Sequence, residues 1–252
     1  MHEQAAVADA SRILSIVIPV RDEADNVAPL AREIVDVLAG TGPFEIIFVD
    51  DASTDRTVRN IRALRQSDVP QIRLLRHCVG CGQSMAVQTG VRAARGEWIV
   101  TLDGDGQNDP ADIPALLQIL EQGGSRGDLK LIVGNRKSRC DTWLRRVSSR
   151  IANAVRRRML RDDTPDTGCG IKLFHRETFL QLPAFNHMHR FMPALFQRAG
   201  ARVMSVEVRH RPRTHGRSKY GLGNRLWVGI VDLFGVRWLI RRAPPLVKIS
   251  EQ

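Results

Sequence analysis

Along the first half of the chain, apolar residues fall into short unbroken runs, separated by longer stretches where they recur every three or four positions. The runs Leu14–Val20, Glu45–Asp51, Ile72–Leu75, Trp98–Asp103 and Leu129–Gly134 are rich in Ile, Val and Leu, the pattern of strands covered on both faces. The stretches Asn26–Leu38, Asp55–Gln66, Gln83–Ala94 and Pro110–Gln122 carry helical periodicity. Ser53-Thr54-Asp55 and Asp109-Pro110 offer N-cap chemistry before the second and fourth of these. Strand–helix alternation predicts an α/β fold: a doubly wound, mainly parallel sheet with helices on both faces and right-handed crossovers. Ligands of such sheets bind beyond the carboxyl ends of the strands, which is where the acidic residues of this half cluster.

Beyond residue 135 the pattern is less regular. The stretch 141–161 predicts a long helix with a basic face of Arg145, Arg146, Arg150, Arg156, Arg157, Arg158 and Arg161. A strand at Ile171–Phe174, a helix at Phe191–Ala199 and a strand at Arg202–Val208 follow. Asn224–Ile240 is apolar and aromatic, with Trp227, Phe234 and Trp238, but is interrupted by Asp232 and Arg237. It suits a core helix and an interfacial helix equally. The organisation expected is a tail over 1–13, one α/β domain over 14–220 and an amphipathic C-terminal segment over 221–252, without repeats or low-complexity linkers.

Charge changes this picture. Residues 1–135 carry 13 Lys/Arg against 19 Asp/Glu and residues 136–252 carry 25 against 8, so a net −6 half precedes a net +17 half. That asymmetry points to a carboxylate centre on one side and an anion-facing surface on the other. Aromatic residues are 5% with one tyrosine, which leaves no stacking platform for nucleic acid. Four irregularly spaced cysteines form no disulfide framework. The first residues, with Glu3 and Asp9 and no apolar core, give no secretory signal, and no run reaches the ~20 apolar residues of a spanning helix. The expected location is the cytoplasm, soluble or peripheral at the cytoplasmic face of a membrane.

Asp103-Gly104-Asp105-Gly106-Gln107 directly follows an apolar run. If the extended conformation continues, positions 103, 105 and 107 point one way, and two carboxylates plus an amide oxygen make a hard site for Mg²⁺ or Mn²⁺. The bare Gly104 and Gly106 admit a bulky anion. In Val49-Asp50-Asp51-Ala52-Ser53-Thr54-Asp55 the acids serve either a base and ribose or helix capping; Asp51 is assigned to ligand and Asp55 to structure. The turn Ile18-Pro19-Val20-Arg21-Asp22-Glu23 contains no glycine, which excludes the glycine-rich fingerprint of a nicotinamide enzyme. Cys78-x-x-Cys81 has no second pair to complete a structural zinc site, so ordinary loop thiols are expected.

These motifs together resemble glycosyltransferase family 2. Arg211-Pro212-Arg213-Thr214-His215-Gly216-Arg217-Ser218-Lys219-Tyr220 is similar to the R-x-x-G-x-S-K-Y segment of its dolichol-phosphate mannose synthase-like branch. Asp166-Thr167-Gly168 resembles the D-x-G entry to a strand, Gly134-Asn135-Arg136 the G-x-R, and Gly82-Gln83-Ser84 the G-Q-S helix start. The similarity spans Leu14 to Trp238. It implies a GT-A fold, a divalent metal and inverting transfer from a nucleotide diphosphate sugar to a polyprenyl phosphate. By resemblance, Pro19, Arg21 and Glu23 line the nucleotide pocket, with Val49 and Asp51 beside base and ribose. Asp103, Asp105 and Gln107 hold metal, Gly104 meets the nucleotide, and Arg136, Arg213 and Lys219 grip phosphates.

A phosphate acceptor, mostly dianionic near pH 7, needs positioning and charge cancellation more than deprotonation. No obligatory base is therefore expected, and Asp166 is the candidate if one exists. The acceptor implies an anionic leaflet, where each nearby Lys/Arg contributes ~1 kcal/mol. Peripheral contact or a membrane-protein partner would then anchor the enzyme, and a second copy of the chain is the other candidate partner. The rivals are a family 2 enzyme with a polysaccharide or other hydroxyl acceptor, which requires a base, and a non-catalytic module that kept the nucleotide pocket.

Overall fold

In the computed structural model, which describes residues 13–123, 127–136, 155–162, 164–212 and 222–243, the apolar runs assemble into one seven-stranded sheet. The strands are β1 (Leu14–Val20), β2 (Phe44–Asp50), β3 (Ile72–Arg76), β4 (Trp98–Thr101), β5 (Leu129–Arg136), β6 (Lys172–His175) and β7 (Arg202–Val208), in the order β3-β2-β1-β4-β6-β5-β7. β1, β2, β3 and β4 pair in parallel, as do β5 and β7. β6 runs antiparallel between β4 and β5, so its first residues lie at the carboxyl ends of its neighbours.

Helices α1 (Val27–Leu38), α2 (Thr57–Ser67), α3 (Gln83–Ala93), α4 (Ile113–Gly123), α5 (Arg176–Leu180), α6 (Met192–Arg198) and α7 (Leu222–Arg241) cover the sheet. On one face α1, α2 and α4 bury Leu30, Ile34, Ile61 and Leu116 against Ile16, Ile46 and Phe48. On the other, α3 and α6 bury Val87, Val91, Leu195 and Phe196 against Val17, Ile47 and Phe174. Both faces are thus dry, which accounts for strands without polar alternation. Asp109 accepts from the Ala111 amide at 2.9 Å and caps a 3₁₀ turn, Pro110–Asp112, that leads into α4. At α2, Asp55 accepts from the Thr57 amide at 2.9 Å.

Only 155–160 of the helix expected over 141–161 lies among the described helical residues; Arg145, Arg146 and Arg150 fall outside them. Arg157, Arg158 and Arg161 are exposed, whereas Arg156 is turned inward and buried. It donates to Thr167 Oγ1 and the Thr164 carbonyl, and lies 3.7 Å from Asp162. A buried guanidinium requires such partners, so Arg156 belongs to the fold and not to a membrane-facing surface.

α7 turns one side into the core and leaves another exposed. Leu233 and Val236 join the core beside α6, and Arg198 Nε donates to the Leu239 carbonyl at 2.9 Å. Ile230, Val231, Phe234 and Trp238 form an exposed apolar stripe, with Phe234 and Trp238 61% and 60% accessible. Among the described residues, no helix is long and apolar enough to cross a membrane.

Candidate active site

The turns after β1 and β2 are tied to each other. Asp22 and Ala52 adopt φ of 53° and 59°, and Asp22 Oδ1 accepts from the Thr54 amide at 2.6 Å and the Asp55 amide at 3.3 Å. In return, Ser53 Oγ accepts from the Asp22 amide and Thr57 Oγ1 from the Glu23 amide, each at 2.8 Å. Side chains here satisfy backbone groups that have left the sheet. Glu23 also accepts from Asn26 Nδ2 at 2.6 Å. Val49 is fully buried beneath α3, so only its backbone faces the strand ladder. Pro19 is half-buried. Arg21 is exposed beside the Gly80 backbone, where a Cβ would come within 2.7 Å of its Nη1, and lies 3.9 Å from Asp51.

Asp51 sits at the end of β2. Its Oδ1 accepts from the Cys81 amide at 2.7 Å and lies 2.9 Å from His77 Nδ1; its Oδ2 accepts from the Gly82 amide at 2.9 Å. Burial alone would raise its pKa, but the two amides and His77 hold it below the usual carboxylate value. His77 Nε2 meets Thr89 Oγ1 at 3.0 Å. Gly82, at φ +87°, turns the chain into α3, a conformation that suits glycine. Among the described residues, Asp51, His77 and Cys81 are the one group of three His, Cys or acidic side chains whose ligand atoms lie within 4.8 Å of one another.

The next residue, Gln83, links this centre to a second: its Nε2 donates to Asp103 Oδ1 at 2.7 Å. Here the structure corrects the expectation of a continued strand. β4 ends at Thr101, residues 104–106 form a turn with Gly106 at φ +72°, and Asp105 Oδ1 accepts from the Gln107 amide at 3.1 Å. Gly104 is bare because the turn presses on β1: a Cβ there would lie 2.6 Å from Val20 Cγ1. The turn is also held from outside, by Asn108 Oδ1 accepting the Asp103 amide at 2.9 Å and by the Arg211 amide donating to the Gln107 carbonyl at 3.0 Å. Arg211 itself pairs with Glu33 and Asp109, both at 2.6 Å. Burial and the neighbouring Asp105 charge raise the pKa of Asp103. A carboxylate crowded by another, with Gln107 in the same turn, fits a divalent cation by its hard oxygen donors and by the negative charge needing neutralisation.

On the far side, Arg136 at the end of β5 grips Asp166 through Nε–Oδ2 at 2.6 Å and Nη2–Oδ1 at 2.9 Å. Burial opposes the guanidinium charge, but the bonds and charge of Asp166 hold the Arg136 pKa above its ordinary value. The fork engages both carboxylate oxygens. Lys172 is buried at the start of β6 and donates to the Cys169 carbonyl. Burial lowers its pKa, although Asp103 and Asp166 act to support its charge. Cys169 is fully buried in the core, with its thiol pKa raised by burial, and is a packing residue.

The fold therefore gathers Arg21 and Asp51 at one centre and Asp103, Arg136 and Asp166 at another, joined through Gly82 and Gln83; Gly104 presses its turn onto the Pro19–Val20 end of β1. Arg213 and Lys219 lie outside the described residues. Sequence reasoning gave no role to Lys172, His77 or His189. His189 Nδ1 lies 2.7 Å from Ser84 Oγ, and burial holds its pKa well below the ordinary histidine value. A lysine among apolar strand residues was the available signal for Lys172; the histidines acquire partners only through the fold.

A model of the family described as "Glycosyl transferase family 2" matches residues 15–182. The dodecaprenyl-phosphate galacturonate synthase of Rhizobium johnstonii is 36% identical over 232 residues, covering 90% of this chain and 67% of that protein. The undecaprenyl-phosphate 4-deoxy-4-formamido-L-arabinose transferase of Serratia proteamaculans is 33% identical over 214 residues, 83% of this chain and 63% of its own length. The chain thus spans about two thirds of these relatives. The crystal structure of glucosyl-3-phosphoglycerate synthase from Mycobacterium tuberculosis in complex with Mg²⁺ and UDP superposes with a TM-score of 0.68 at 20% identity, covering 95% of this chain and 83% of that one. That likeness establishes the fold.

Proposed function

Because the chain belongs to glycosyltransferase family 2, we propose that it transfers a sugar, with inversion, from a nucleotide diphosphate donor to a polyprenyl phosphate. The relatives named for dodecaprenyl- and undecaprenyl-phosphate products support the acceptor class. The observation that carries the choice of a phosphate over a hydroxyl acceptor is the two-pronged pairing of Asp166 with Arg136. The carboxylate best placed to act as a base is committed to orienting a cation, and a phosphate acceptor brings its own negative oxygen.

In this reading, Asp51, Arg21 and the turn at Pro19 hold the nucleoside. Asp103, Asp105 and Gln107 hold Mg²⁺ or Mn²⁺, which when bound supplies positive charge against the departing diphosphate. Arg136, oriented by Asp166, faces phosphate oxygens, and Arg213 and Lys219 add further positive charge. Lys172, behind Asp103, offsets the crowding of the two acids before any cation arrives. The +17 half and the exposed stripe on α7 suit contact with the cytoplasmic face of an anionic membrane.

Incubation of the purified protein with radiolabelled nucleotide sugars, Mn²⁺ and undecaprenyl phosphate, followed by lipid extraction, tests the proposal. Label in the lipid phase that depends on both the metal and the acceptor is the expected result. Transfer to a soluble hydroxyl acceptor, indifferent to the polyprenyl phosphate, would overturn it.

A further inference from the structure

Two centres of different chemistry flank the nucleotide pocket, and the reaction uses a hard cation at only one of them. We infer that Asp51, His77 and Cys81 form a second, softer metal site that takes Zn²⁺ and closes the pocket to the donor. Thiolate, imidazole and carboxylate together select zinc over Mg²⁺ or Mn²⁺, whereas the turn at Asp103 offers oxygen alone. Spacing pointed to loop thiols because no second cysteine pair exists. The ligands that complete this set come instead from the end of β2 and the end of β3, and the fold brings them together.

The three groups are already positioned for an ion. Asp51 is fixed by the Cys81 and Gly82 amides, and its Oδ1 lies 2.9 Å from His77 Nδ1. Adjacent ligand atoms of a tetrahedral zinc lie about 3.3–3.7 Å apart, given bonds of about 2.0–2.3 Å. The oxygen–nitrogen pair must open by a few tenths of an ångström, and the Cys81 sulfur must swing in from within 4.8 Å. Cys81 is exposed and its thiol meets the Val79 carbonyl at 3.3 Å, a weak contact to give up. His77 has the outer partner that metal-bound imidazoles use: with Nδ1 on the ion, its proton resides on Nε2 and donates to Thr89 Oγ1, 3.0 Å away. Binding releases the Cys81 thiol proton to solvent, and water takes the fourth position.

Metal binding stands independently of the proposed reaction. The exclusion of donor rests on the placement of the nucleoside at Asp51, since a carboxylate bound to zinc no longer receives it. Equilibrium dialysis of the full chain against Zn²⁺ in excess Mg²⁺, with metal analysis, should find one equivalent. Asp105→Asn and Cys78→Ser should retain it, and Cys81→Ser should weaken it at least about tenfold. Replacement by Co²⁺ should give a thiolate-to-cobalt absorption band that Cys81→Ser removes. Zinc binding that is absent, insensitive to Cys81→Ser, or abolished by Asp105→Asn overturns the site. At zinc tenfold above its Kd, the apparent Kd for UDP or GDP should rise about tenfold by competition. Zinc held through Cys81 with unchanged nucleotide affinity would keep the site and overturn the donor's placement at Asp51.

Discussion

Gly170 offers a sharp test of the centre around Asp103. It precedes β6, and its carbonyl accepts from Thr101 Oγ1 at 2.9 Å, which fixes its backbone. In Gly170→Ala the new Cβ would lie 2.2 Å from Asp103 Oδ2 and 2.4 Å from Asn108 Oδ1. Carbon and oxygen do not approach closer than 3.0 Å in such contacts, so the carboxylate must retreat by at least 0.8 Å. Retreat disturbs the Gln83 bond at 2.7 Å and the Asn108 clasp on the Asp103 amide at 2.9 Å. Overpacking of this kind costs about 1–3 kcal/mol of stability. Misplacement near 1 Å costs on the order of 100-fold in rate, equivalent to about 2.7 kcal/mol. Thermal unfolding should show a folded protein with a lowered Tm. Steady-state transfer should show kcat down about 100-fold, with half-saturation by Mn²⁺ moved to higher concentration. A folded Gly170→Ala protein with wild-type kcat and wild-type Mn²⁺ dependence would refute the placement of the acting ion at Asp103.

Three further outcomes follow from other contacts. Asp166→Asn keeps one acceptor for Arg136 and should reduce kcat at saturating acceptor by no more than about tenfold; a loss of ~10²–10⁴ would mark Asp166 as a base and favour a hydroxyl acceptor. Glu45 is buried: burial raises its pKa, but the Arg95 amide at 2.7 Å, Arg73 at 2.6 Å and Ser15 at 2.7 Å bring it below the ordinary value of 4.5. Its ionised form therefore stabilises the fold above pH 4.5, and this contribution disappears as pH falls through the lower folded-state value. Glu45→Gln should accordingly cost about 1–3 kcal/mol at pH 7, and denaturant titrations should show the gap closing in acid. Phe234→Ser with Trp238→Ser should leave stability within about 0.5 kcal/mol yet weaken flotation on anionic vesicles by on the order of tenfold or more.

The central strands were readable because they are apolar on both faces, so the runs of the first half stand out without any tertiary information. Their ends were less so: β4 stops at Thr101, the Leu102 amide keeps one bond to the Val17 carbonyl at 3.3 Å, and the chain then leaves the ladder for the turn at Gly106. The alternation assumed for positions 103, 105 and 107 failed for that reason. Arg156, Arg157 and Arg158 are chemically identical in sequence, and only the later Thr164, Thr167 and Asp162 decide that the first faces inward. The place of β6 depended on pairing between residues about 70 positions apart, which no local pattern encodes. The acids of the two centres were found by residue type and position after strands; their partners His77, Gln83, Lys172 and Asn108 are set by the fold.

The inverted direction of β6 has a consequence for how such a catalyst changes its substrate. Because β6 starts at the edge where β5 stops, the end of one strand and the beginning of the other lie together at the candidate site. The Arg136–Asp166 clasp ties the last residue of β5 to the segment that enters β6. Exchanges of sequence between those two residues can then reshape what the enzyme accepts while leaving the seven-stranded platform undisturbed. Natural variation in acceptor is expected to concentrate between them.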